Sequence, residues 1–165
     1  MKTALAVLVS VSVFLCAAPV FAQPAASPAP VVAVGLSFLN EAGATGTGVV
    51  ADLWLPPFKT IGRTGLGVVA TAGFNHFEGA TEVTLAGGVR AVFAVDNPKV
   101  HPFVQGEFGI VHCCGGTDKI VGPGGGVAFD ATPTVTVFGE YNLRRILDPV
   151  WANEVRFGVT WTLRP

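Results

Sequence analysis

From Glu154 to Arg164 the chain alternates strictly between polar and apolar side chains. Val155, Phe157, Val159, Trp161 and Leu163 fall on one side, and Glu154, Arg156, Gly158, Thr160, Thr162 and Arg164 on the other. Successive side chains leave opposite faces of an extended backbone, so a period of two specifies a strand with one apolar and one wet face. The wet face here carries charges. The apolar face continues for about ten residues, the length a tilted strand needs to cross a bilayer. The same alternation recurs, less cleanly, through most of the chain beyond residue 30.

The first residues follow a different rule. Lys2, the apolar run Ala4 to Val20 and the small-residue ending Val20-Phe21-Ala22 before Gln23 have the layout of a cleaved secretory signal, which places residues 1–22 outside the fold. The rival reading, a membrane anchor, would call for a basic stop-transfer flank and no cleavage-like end. Leu15, just before Cys16, is too bulky for lipoprotein processing. Gln23 to Pro30 reads as a proline-rich linker, and residues 31–165 as a single domain.

Beyond the signal no apolar run is long enough for a membrane helix. Yet the chain is 50% hydrophobic and only 13% charged, with a mean hydropathy of +0.57. That is too apolar for a well-solvated small domain. A closed barrel with lipid outside reconciles the two, because apolar and polar residues alternate and no continuous greasy run is needed. The 21 glycines and 12 prolines discourage long helices. A net charge of −1 offers no basic surface for a nucleic-acid partner.

The predicted fold is therefore all-β: an eight-stranded antiparallel up-and-down transmembrane β-barrel. Its runs are Val31–Asn40, Thr47–Pro56, Thr64–Phe77, Glu82–Val95, His101–His112, Lys119–Asp130, Thr134–Ile146 and Glu154–Arg164. An even count puts both termini on one side, expected to be the periplasm. Pro56–Arg63, Asp96–Val100 and Ala131–Pro133 would then be periplasmic turns. Glu41–Gly46, Glu78–Thr81, Cys113–Asp118 and Leu147–Asn153 would face outward, too short to offer much binding surface.

Parity assigns the sides. Pro102, Val104, Gly106, Phe108 and Ile110 would face lipid while Gln105 and Glu107 point in. Val83, Leu85, Val89 and Phe93 would face lipid while Thr84 and Arg90 point in. On the seventh run Val135, Val137, Tyr141 and Leu143 go out and Glu140, Asn142 and Arg144 go in. A turn near Asn97–Pro98 sets Arg90 opposite Gln105 and diagonal to Glu107, within reach of a cross-strand pair. The expected lumen network is Asp52, Arg90, Gln105, Glu107, Glu140, Arg144 and Arg156. Charges so enclosed must be paired, because an unpaired one carries a desolvation cost of several kcal/mol.

In the order of its parts the chain resembles the small eight-stranded outer-membrane barrels of the OmpA and OmpX type. The resemblance is carried by Val20-Phe21-Ala22, by Gly87-Gly88-Val89-Arg90, by His101-Pro102-Phe103-Val104-Gln105-Gly106 and by the alternating last strand. It implies residence in the outer membrane, contact with its lipid, and assembly by periplasmic chaperones and the barrel insertion machinery. Such proteins usually end in an aromatic residue; this chain ends Leu163-Arg164-Pro165, its last aromatic being Trp161.

Three groups of residues invite chemistry. Cys113 and Cys114 could close a vicinal disulfide in an oxidising compartment, or simply shape a loop; with His112 they lack the spacing of a metal site. His76, His101 and His112 could serve a lipid-modifying enzyme, but mature serines are scarce: Ser27 lies in the linker and Ser37 points inward. Tyr141, Trp151 and Trp161 fit an aromatic girdle at the membrane interfaces, whereas Trp54 comes out inward as lumen filler. Eight strands enclose a space that side chains fill, so a salt-bridge plug is the expectation over a pore. No catalytic residue, metal or cofactor is expected. The functional expectation is a non-enzymatic barrel with a structural or surface-interaction role in the envelope. The alternatives are a soluble lipocalin-like barrel with an apolar cavity, or a lipid-modifying enzyme.

Overall fold

The computed structural model describes residues 29–146 and 150–163. The proposed signal, nearly all of the linker, residues 147–149 of the last outward connection, and Arg164 lie outside that range. The chain forms β1 (Val31–Glu41), β2 (Ala44–Trp54), β3 (Lys59–Ile61), β4 (Thr64–Phe77), β5 (Ala80–Phe93), β6 (Val100–Cys113), β7 (Gly116–Asp130), β8 (Val135–Ile146) and β9 (Val150–Thr162). Every strand pairs antiparallel with its neighbour, β2 pairs β4 past the short β3, and β1 pairs β9 to close the sheet. The result is an eight-stranded up-and-down barrel in which β3 is only a flap folded onto the start of β4. Closure leaves no long strand edge unpaired, the condition for a sheet to sit in hydrocarbon.

The expected parity is realised strand by strand. Outward side chains form a continuous apolar belt, as in Pro102, Val104, Phe108 and Ile110 on β6 and Val155, Phe157, Val159 and Trp161 on β9. Phe108 is 58% exposed, whereas Arg156, the inward residue beside outward Phe157 on β9, is 1% exposed. At the rim opposite the termini the belt gives way to outward polar residues, among them Asn40, His76, Thr81, His112, Arg145 and Asn153.

Four expectations about boundaries need correction. The hairpins at that rim are tighter than the sequence suggested: β1 and β2 are joined by Ala42-Gly43, and β6 and β7 by Cys114-Gly115. All four residues have positive φ, at 48° and 88° and at 56° and 81°, the type I′ geometry whose twist matches the flanking strands. The turn cue was weak because Ala42 and Cys114 are residues that seldom adopt it, and so Ala44 to Gly46 and Gly116 to Asp118 extend strands instead of loops. Val150 to Asn153 likewise belong to β9. Pro56–Arg63 is also not a plain turn, since it contains β3. Pro30 belongs to the barrel rather than the linker: its carbonyl accepts a hydrogen bond from Leu163 N at 2.8 Å.

A side chain at φ +56° costs about 1 kcal/mol that asparagine or glycine largely avoids. Cys114→Asn is therefore expected to stabilise the barrel by about 0.5–1 kcal/mol, read as a higher urea midpoint under reducing conditions. An unchanged or lower midpoint would show that the turn is not strained.

Candidate functional site

The inward face of the barrel holds the one concentration of polar chemistry among the described residues. Five buried carboxylates, Asp52, Glu82, Glu107, Glu140 and Glu154, face three buried guanidiniums, Arg90, Arg144 and Arg156. Arg156 is the hub. It reaches Glu154 at 2.7 Å, Glu140 at 3.0 Å, Glu107 at 3.8 Å and Asp52 at 3.9 Å. Arg144 contacts Glu82 at 3.1 Å and Glu154 at 3.6 Å and donates to Thr84 Oγ1 at 2.8 Å. Ser37 donates to Glu154 at 2.6 Å, and Thr71 to Glu107 at 2.7 Å.

Arg90 sits opposite Gln105 in the β5–β6 ladder. Its Nε donates to Gln105 Oε1 at 2.8 Å, and its ion-pair partner is Glu140 at 3.3 Å. The cross-strand pair with Glu107 does not form. Glu107 is held by Thr71 and Arg156 instead, because the barrel is narrow enough for side chains to meet across it. Gln105 passes the network on, donating to Asn142 Oδ1 at 3.2 Å, and Asn142 donates to Glu140 at 2.8 Å. Glu82 and Glu154 lie outside the lumen set expected from sequence, although each shares parity with an inward residue two positions on, Thr84 and Arg156.

Two apolar clusters pack beside this ionic network. Near the termini Ala33, Phe103, Ala128 and Phe138 pack together with Trp54 and Val92. Trp54 is lumen filler, and more: the Arg90 guanidinium lies 3.8 Å from its ring centroid and 4.1 Å from that of Phe103, a cation–π sandwich. At the opposite rim Val111, Ile120 and Ile146 pack with Ala86 and Val150.

The remaining candidates are dispersed. His76 Nδ1 lies 3.2 Å from Thr81 Oγ1 and His112 Nδ1 lies 2.8 Å from Thr117 Oγ1, both at the outward rim, with no carboxylate among the described residues on either ring. His101 Nε2 meets Asp130 at 2.8 Å and Thr136 donates to the same carboxylate at 2.7 Å. That order puts the acid between imidazole and hydroxyl, whereas a nucleophile needs the imidazole in the middle. Cys113 and Cys114 stand as free thiols with their sulfurs 2.9 Å apart, adjacent in the β6–β7 hairpin. Cys113 lies beyond the apolar belt at the hairpin. Its thiol is pushed up to about 11, first by the hydrogen bond with Cys114 and then by burial. Trp151 and Trp161 stand at opposite ends of β9 on the outer surface, and the Tyr141 hydroxyl donates to Asn153. No described group of three histidine, cysteine or acidic side chains could hold a metal ion.

Neither a protein-family model nor a curated protein matches the chain. Solved structures do. Neisserial surface protein A aligns with a TM-score of 0.58 at 17% identity, over 83% of this chain and 98% of that one. The fold is that of the small eight-stranded outer-membrane barrels. A de novo designed transmembrane β-barrel aligns at TM-score 0.54 and 15% identity, over 85% of this chain and all of the other. The outer-membrane enzyme PagL aligns at TM-score 0.53 and 14% identity, over 82% of this chain and all of the other. One architecture thus accommodates a surface protein, an enzyme and a designed barrel, and function has to be argued from this chain's own side chains.

Proposed function

We propose that the protein is an integral outer-membrane barrel that closes on itself, conducts no solute and catalyses no reaction, with a structural or surface-interaction role in the envelope. One observation carries this reading: apolar side chains face out along every long strand, while the buried charges face a lumen filled by their own partners. A lipocalin-like binder would need the reverse, an apolar cavity within and charges toward water. The enzymatic alternative has no support in the rim histidines, whose hydroxyl partners are threonines with no aligned acid among the described residues.

The test is fractionation combined with detergent-gel migration. The expected result is recovery with the outer membrane and a folded form that migrates differently from the boiled one. Recovery in the soluble periplasmic fraction would overturn the proposal. Bilayers containing the protein are expected to show no conductance above background.

A further inference from the structure

The apolar belt carries a shallow depression. Outside β5, β6 and β7 a groove of about 600 Å³ has Gly87 and Gly106 in its floor, Val89, Phe108, Val121 and Pro123 as its walls, and Arg145 with Trp151 at its head. Nothing stands within 4 Å of where a Cβ on Gly106 would lie. The ladders fix its direction. Trp151 pairs with Arg145, Arg145 with Val121, Val121 with Phe108 and Phe108 with Gly87. Trp151 begins β9 at the rim opposite the termini, whereas Gly87 is midway along β5. The line therefore descends from that rim toward the middle of the belt, over about 19 Å for four steps at the usual strand spacing.

The head of the groove is cationic. Arg145 stacks 5.6 Å over Trp151, and Lys119 lies diagonal to it, two residues before Val121 on the same face. Neither forms an ion pair among the described residues. A second copy of the chain docking about a two-fold axis would bring these cations against each other. A molecule with a phosphate at one end and a hydrocarbon chain at the other satisfies both parts at once.

Resting on the membrane reading above, we propose that this groove binds one anionic phospholipid of the rim-side leaflet. Its phosphate sits between Arg145 and Lys119 and its acyl chain lies along Gly106 and Gly87. The contact orients the barrel among its lipids and adds a specific annular partner to a surface otherwise indifferent to headgroup.

Trp151 reports occupancy. The mature protein carrying Trp161→Phe is reconstituted in phosphatidylcholine bilayers with either phosphatidylglycerol or phosphatidylcholine brominated on its acyl chains, at equal mole fraction. The brominated anionic lipid is expected to associate with the Trp151 site about tenfold more strongly, given two surface cations. The double variant Arg145→Gln, Lys119→Gln should remove the preference. Gly106→Leu, whose side chain enters open space, should keep the heat-modifiable fold and lose close quenching by both lipids. Equal quenching by both lipids in the unsubstituted groove, or a preference that survives removal of the cations, overturns the inference while leaving the membrane reading intact. A dimer dissolved by Gly106→Leu would overturn it too, assigning the groove to a second copy. Failure to insert into bilayers at all would overturn both.

Discussion

Replacing Arg156 with leucine is expected to destabilise the barrel by about 3–5 kcal/mol, the range for removing one partner from a buried ionic cluster. Among the described residues Arg156 is the one guanidinium within 4 Å of Asp52, Glu107, Glu140 and Glu154 together. Its loss strands like charges that are buried away from water. The comparison with Arg90 is informative. Arg90→Leu leaves Glu140 held by Arg156 and Asn142, so its cost should be smaller, about 1–3 kcal/mol. Urea unfolding in lipid or detergent, followed by tryptophan fluorescence, measures both. Equal losses at the two positions would refute the hub arrangement.

Gly158→Val should damage the barrel at its seam, by about 3 kcal/mol. Gly35 and Gly158 are paired partners where β1 meets β9. A Cβ on Gly158 would lie 2.2 Å from the Val34 carbonyl oxygen, and one on Gly35 would lie 2.6 Å from that of Phe157. Both obstructions are backbone atoms, so no side chain can swing aside and the strands themselves must separate. Gly139→Val is the control, because a Cβ there meets nothing within 4 Å and should change stability by no more than about 0.5 kcal/mol. Loss of the heat-modifiable band in the Gly158 variant alone is the expected outcome. Indistinguishable behaviour of the two variants would mean the seam tolerates side chains.

The side of each residue was legible in the chain, and its partner was not. Alternation placed Asp52, Arg90, Gln105, Glu107, Glu140, Arg144 and Arg156 on the inner face, and the β5–β6 turn gave the Arg90–Gln105 register. It could not show that Arg90 reaches Glu140 on β8, fifty positions away, or that Glu107 answers to Thr71 and Arg156. Parity is a local property of extended backbone; a contact across the lumen depends on how far the closed sheet is staggered and how narrow it becomes. Turn lengths failed for a local reason: Ala42 and Cys114 occupy left-handed conformations that their residue types do not advertise.

The sequence by itself determined strand formation, the count of long strands and the separation of greasy from charged faces, because each follows from a two-residue period and the spacing of turns. Tertiary structure alone decided the hub at Arg156, the apolar clusters beside it, the glycine seam and the groove beneath Arg145. These arise where strands remote in sequence are brought side by side, and closure of the sheet is what selects the neighbours.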